Sequence, residues 1–181
     1  MRYLILSDIH GSEACLRPIL TLFEEKKFDF LILLGDILYH GPRNPLPEGH
    51  NPQGVVKLLN AYSDRTIACR GNCDAEVDQM LLEFPCLSDY SLIVDEGIKL
   101  FATHGHLYTP NHFPKTAGKQ IFLYGHTHLW ELRKEEDLFI CNPGSISLPK
   151  ENRPATYGTY ENGILSIYDF NHTLLSSLSI Y

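Results

Sequence analysis

The stretch RYLILSDIHGS, residues 2–12, carries the reading that decides the fold. Tyr3 to Leu6 is a short apolar, β-rich run, and Asp8 and His10 follow its end at once. Ser12 then supplies a helix N-cap, after which Leu16, Ile19, Leu20 and Phe23 recur at i, i+3, i+4 and i+7. Phe30 to Leu34 is a second apolar run, and LILLGD again closes on an acidic residue, Asp36. Strand, amphipathic helix, strand in this order is a βαβ unit, which predicts a parallel pair at the start of an α/β fold.

The pattern continues outward. Asn51 and Pro52 start a second helix with Val55, Val56, Leu58 and Leu59 on its buried side, and Thr66 to Cys69 forms a third strand. Asp74 is expected to cap a third helix whose Val77, Met80 and Leu81 share one face and which Pro85 stops. Between the second strand and second helix, HGPRNPLPEGHNPQ reads as a long ordered loop, a length that usually carries function. After about residue 90 hairpins take over. SLIV and IKLFAT flank the turn DEG, and Ile121 to Tyr124 and Leu138 to Cys141 are further strands. Thr156 to Tyr160, Ile164 to Tyr168 and Leu174 to Ile180 read as a terminal meander. Two sheets packed face to face, with helices outside, would cover these apolar surfaces.

Composition narrows the functional classes. The chain of 181 residues is expected to form a single domain, 1–181, stabilised without a disulfide framework. Its formal charge of -7 disfavours diffuse attraction of nucleic acid, although a bound divalent cation can invert the sign locally. No apolar run approaches the roughly 18 residues that a membrane span requires, and the apolar run after Met1 is too short for a signal-peptide core. The cytoplasm is the expected compartment. The odd, scattered cysteines Cys15, Cys69, Cys73, Cys86 and Cys141 suit reduced thiols.

The main chemical signal is where the polar residues stand. LILSDIH, LILLGD, LFATHGH and IFLYGHTH are apolar runs that end in metal-ligand side chains, and the run in IACRGNCD is followed by an asparagine, Asn72. In open α/β sheets ligands bind beyond the carboxyl ends of strands, so separate strands can deliver such groups to one crevice. A single strand-end aspartate is ordinarily a turn residue or cap. Asp8, His10, Asp36, Asn72, His104, His126 and His128 together are harder to explain so, because ordinary turns do not require histidine. The i, i+2 spacing of Asp8 with His10, and of His126 with His128, would place each pair on one side of an extended segment. Oxygen and imidazole donors suit manganese, iron, zinc, cobalt, nickel or magnesium better than soft metals.

The motifs DIHG, GDILYHG, GNCD, THGH and GHTH, in this order, resemble those of calcineurin-like metallophosphoesterases over nearly the whole chain. GDILYHGPRNPLPEG, RGNCDAEVDQMLLEFP and NPGSISLP make the chain similar to the small bacterial YfcE-like phosphodiesterases. The resemblance implies a four-layer α-β-β-α sandwich of two mixed sheets flanked by helices. It also implies one metal on Asp8, His10, Asp36 and His128, and a second on Asn72, His104 and His126 with Asp36 as the bridge. Two such cations, manganese being preferred, would acidify a bridging water to hydroxide and clamp phosphoryl oxygens during in-line attack.

One departure matters. Many members of the wider superfamily have histidine after the asparagine of this motif, where this chain has Cys73. A thiol cannot replace imidazole as an equivalent proton donor, which shifts the expectation from phosphomonoesters toward small-molecule or activated phosphodiesters. His40 and Arg43, in the long loop, are further catalytic candidates, for proton transfer and phosphate contact. Asp74 is expected to cap and orient, and His106 is either a supporting contact or a loop residue. The competing readings are a phosphomonoesterase and a noncatalytic scaffold, and the resemblance allows a homo-oligomer.

Overall fold

Apolar alternation on the first strands sets the layering. The computed structural model describes residues 1–181. Strand β1 (Arg2–Leu6) pairs in parallel with β2 (Phe30–Leu33), Leu4 lying opposite Leu31. Successive side chains point to opposite faces. Leu4, Leu6, Leu31 and Leu33 therefore meet helices α1 (Glu13–Glu25) and α2 (Pro52–Asn60), while Tyr3, Ile5, Ile32 and Leu34 face the other way into a second core. The expected caps are in place: the Ser12 hydroxyl accepts from the Cys15 N–H at 3.3 Å and the Asn51 side chain accepts from Gly54 N–H at 3.2 Å. Each satisfies a helix donor that the helix itself leaves free.

Strand β3 (Thr66–Ala68) joins β2 in parallel, and helix α3 (Glu76–Leu81) follows. The second sheet holds β4 (Tyr90–Asp95), β5 (Ile98–Thr103), β6 (Gln120–Leu123), β7 (Glu131–Glu135) and β8 (Leu138–Asn142), in the order β4-β5-β6-β8-β7. The terminal meander, β9 (Thr156–Glu161), β10 (Ile164–Asp169) and β11 (Leu174–Ser179), returns to the first sheet and pairs antiparallel beside β1. That sheet has the order β11-β10-β9-β1-β2-β3, so both sheets are mixed. Leu100, Ala102, Ile121, Leu123 and Phe139 meet Ile5 and Ile32 between the two sheets. Burying each of the leucine, isoleucine and phenylalanine side chains contributes about 1.5–3 kcal/mol relative to exposure.

The fold is thus α/β with two mixed sheets face to face, as expected. The outermost layer over the second sheet contains no helix: Phe101, Phe122 and Ile140 are covered by Tyr108, Phe113 and Tyr124, the first two from the segment after β5. That apolar patch is small enough for aromatic rings to close.

Three expectations are corrected. Asp74 does not cap α3: the helix begins beyond it with Ala75 at the N-cap, and the Asp78 carboxylate accepts from Ala75 N–H at 2.8 Å. Val77, Met80 and Leu81 do not form a buried face, being 57%, 83% and 48% exposed. The helix is a short turn-like piece, and the residues after it, Leu82, Phe84 and Cys86, enter the core instead. Asp8 with His10 and His126 with His128 are not on extended segments, since their φ values are 55°, 50°, 67° and 62°. No helix is long and apolar enough to cross a membrane.

Candidate metal centre

The carboxyl ends of both sheets open onto one crevice. Asp8 and His10 follow β1, Asp36 follows β2, Asn72 follows β3, His104 follows β5, and His126 and His128 follow β6. Asp36, with φ 54°, joins the two pairs in left-handed backbone, which costs a non-glycine residue of order 1–3 kcal/mol. The strain turns the side chains out of the strand line and inward. Neighbouring glycines make the room. A Cβ on Gly71 would overlap the Asp36 carboxylate and backbone N, and one on Gly125 would stand 2.9 Å from Asp8 Oδ2.

All seven sequence-derived ligand candidates meet here, in two overlapping groups. In the first, His128 Nε2 lies 3.4 Å and His10 Nε2 3.7 Å from Asp8 Oδ1, the two imidazole nitrogens are 3.3 Å apart, and His10 Nε2 is 3.8 Å from Asp36 Oδ2. In the second, His104 Nε2 lies 3.5 Å from the same Asp36 Oδ2, 3.1 Å from Asn72 Oδ1 and 3.3 Å from His126 Nδ1. Asp36 Oδ2 is therefore common to both groups.

The hydrogen bonds behind the ligands fix which atom faces inward. His10, His104 and His128 each donate Nδ1–H to a backbone carbonyl, of Tyr39 at 2.7 Å, Leu34 at 2.6 Å and Leu148 at 2.6 Å. A carbonyl only accepts, so the three Nε2 atoms are directed at one another and at the carboxylates. Such outer contacts orient metal-bound histidines. Asp8 Oδ2 accepts from Ser7 Oγ at 2.7 Å and His126 N–H at 3.0 Å, whereas buried Asp8 Oδ1 has no hydrogen-bond partner. Converging nitrogens around an orphaned carboxylate oxygen repel unless a cation or proton lies between them, so the donor set fits divalent metal.

Electrostatics agree. Burial pushes the Asp8 and Asp36 carboxyls up, but the facing histidines outweigh it and hold both below the usual carboxylate range. Burial likewise opposes charge on His104 and His10, yet Asp36 and Asp8 win, raising His10 and lifting His104 to about 9. Burial leads in lowering His126 and His128.

The other candidates are placed as follows. Arg43 and Cys73 line a cavity of about 500 Å³ above the cluster, together with Asn72, His126 and His128. Cys73 N–H donates to Asp36 Oδ1 at 2.8 Å, and its Sγ lies within 4.8 Å of donor atoms of His10 and Asp36. Burial and the Asp36 charge push its thiol up to about 12. The His40 ring stands edge-on to Tyr39 and His50, at centroid distances of 4.9 and 5.4 Å, and is not part of the cavity wall. His106 lies beside His104 at 5.3 Å. Asp74 accepts from the N–H groups of Asp36, Ile37 and Gly71 at 2.7–2.9 Å, which holds the turn carrying Asp36.

Sequence reasoning missed two sets of residues. Ser145 and Ser147 donate to the Asp8 carbonyl at 2.7 and 3.0 Å, anchoring the turn after β1, and the NPGSISLP stretch was their signal. Lys150, just beyond that motif, also lines the cavity.

Fold and site together define an α/β protein with a candidate divalent-metal centre at the carboxyl ends of two facing sheets. The chain belongs to the calcineurin-like phosphoesterase superfamily, whose domain it matches over residues 1–162. It is 44% identical over 171 residues to phosphodiesterase YfcE of Escherichia coli K12, covering 94% of this chain and 93% of that protein. The solved structure of the E. coli YfcE phosphoesterase superposes with a TM-score of 0.97 at 42% identity, covering 100% of both chains. Vps29 of Entamoeba histolytica, solved with zinc, is similar in fold alone, with a TM-score of 0.61 at 15% identity over 100% of both chains.

Proposed function

We propose that this chain is a metal-dependent phosphodiesterase acting on small-molecule or activated phosphodiesters, with manganese as the preferred metal. The observation that carries the reading is the convergence of His10, His104 and His128 Nε2 on Asp8 Oδ1 and Asp36 Oδ2 beneath an open cavity. The 44% identity to a phosphodiesterase supports it. When bound, two divalent cations supply Lewis-acid activation of water and of the phosphoryl oxygens. Asp8, His10, Asp36 and His128 hold one ion, and Asn72, His104 and His126 with shared Asp36 hold the other. Arg43 contacts phosphoryl oxygens from the cavity wall, a role its forked guanidinium suits. His40, whose backbone carbonyl accepts from the Asn44 side chain at 2.8 Å, acts through the loop that carries Arg43.

Cys73 sets the preference for diesters. Its thiol lines the cavity wall and is a weak donor, so an ester whose departing oxygen must be protonated reacts slowly. The test compares hydrolysis of p-nitrophenyl diesters and alkyl monoesters by the manganese-loaded protein and by Cys73→His. The substitution is expected to raise the monoester-to-diester rate ratio by about a hundredfold, the lower end of general-acid contributions. An unchanged ratio would refute the assignment to Cys73.

A further inference from the structure

The cavity above the cluster has a charge pattern opposite to that of the chain. The protein carries a formal charge of -7, yet Asp36, turned toward the ligand cluster, is the cavity's one carboxylate. Beyond the metal-ligand candidates, its wall presents the cations Arg43 and Lys150, the amide Asn44 and the hydroxyl Thr127. Neither cation is engaged in any of the protein's ion pairs. No Phe, Tyr or Trp lines the cavity.

Lys150 reaches this wall from a fixed turn. Arg153 N–H donates to the Lys150 carbonyl at 3.1 Å, and Glu151 and Asn152 between them both have φ 55°. Two left-handed central residues with this bond make a type I′ turn. Pro149 and Pro154 flank it, each with φ restrained by its ring. At its far end Arg153 donates to the Trp130 carbonyl at 3.0 Å and lies 5.5 Å over the Trp130 ring. At its near end, the Leu148 carbonyl orients His128. The segment that aims a ligand imidazole therefore also sets the root of Lys150, on a chain segment separate from the loop that carries Arg43.

We propose that Lys150 binds a second, phosphate-type anionic group of the substrate, so that the preferred substrates are phosphodiesters bearing an additional phosphate outside the reacting centre. The inference rests on the phosphodiesterase reading above and specifies its substrate class. Arg43 meets the reacting phosphoryl group, and Lys150 meets the remote charge. A cavity of about 500 Å³ accommodates both.

The test uses two p-nitrophenyl phosphodiesters that differ only in the second ester, one ending in a neutral alkyl chain and the other in a phosphonate. On the metal-loaded protein, kcat/KM is expected to favour the phosphonate ester by about tenfold, the size of one charge-assisted contact, and the gain should lie in KM. Lys150→Met should erase this preference and Lys150→Arg should keep it. Calorimetric binding of the matching non-hydrolysable alkylphosphonate esters should show the same ratio in Kd. Equal kcat/KM for the two esters in the unaltered protein, or a preference that survives Lys150→Met, overturns the inference while leaving the phosphodiesterase reading intact. Hydrolysis of neither ester by protein with metal bound overturns both.

Discussion

At the scale of single residues, the proposed two-metal centre makes His104 the group through which protons and metal would compete. Its Nδ1–H is committed to the Leu34 carbonyl, and its Nε2 faces Asp36 and Asn72. Burial opposes a proton on Nε2, but in the absence of metal the Asp36 carboxylate, helped by the Asp8 charge, holds it, which is why the pKa rises from 6.5 to about 9. A folded-state pKa above the unfolded value adds stability that is complete below about 6.5 and is lost as pH rises through about 9. Metal-free protein should therefore unfold at a lower temperature at pH 9 than at pH 6.5. Metal binding has the opposite sign, since the ion must displace that proton, so affinity should strengthen over the same range with release of a proton. Calorimetry in buffers of different ionisation enthalpy measures both. Pure pH independence of affinity would show that the His104 proton is not displaced.

At the scale of elements, the site depends on how closely the ends of β2 and β3 approach. Gly71 is the contact point, because a Cβ there would strike both the backbone and the carboxylate of Asp36. Gly71→Ala should destabilise metal-free protein by about 1–3 kcal/mol, the usual cost of overpacking a rigid site, as read by denaturant unfolding. Helix α3 is the converse case. Met80 is 83% exposed, so Met80→Glu should change stability by no more than about 0.5 kcal/mol. A loss of several times that would restore the buried face expected from its spacing. That expectation failed for a physical reason: three apolar residues on a six-residue helix look amphipathic, but its Asp78 is the buried one. Strand β7, ELRKE, was illegible for a similar reason, being a charged edge strand whose pattern shows no buried alternation. The long α1 and the runs of β1, β2 and β5 were legible because each carries a continuous apolar face of the right period. The clustering of the candidate residues was legible from the motif at each strand end, but the left-handed backbone that aims Asp8, His10, Asp36, His126 and His128 has no signature in residue spacing. Lys150 was missed because a lysine after a turn motif looks like any solvated surface charge.

At the scale of the whole molecule, two mixed sheets share one apolar layer and send their carboxyl ends to the same edge. The first sheet delivers Asp8, His10 and Asp36 and, beyond β3, Asn72; the second delivers His104, His126 and His128. Each half holds only part of the donor set, so the centre exists only when the sheets are packed together, and metal should bind the folded state in preference to the unfolded chain. The division was not readable from the order of motifs, which gives no sign that the terminal meander rejoins β1. The shared oxygen of Asp36 is the point on which the reading turns. The most direct measurement is the metal content of purified protein reconstituted with manganese, by mass spectrometry, alongside its phosphodiesterase rate, for the unaltered chain and for Asp36→Asn. The unaltered chain is predicted to hold about two ions, as a two-metal site requires, and the variant to lose bound metal together with more than about a hundredfold in rate. A variant with undiminished metal and an unchanged rate would contradict the account.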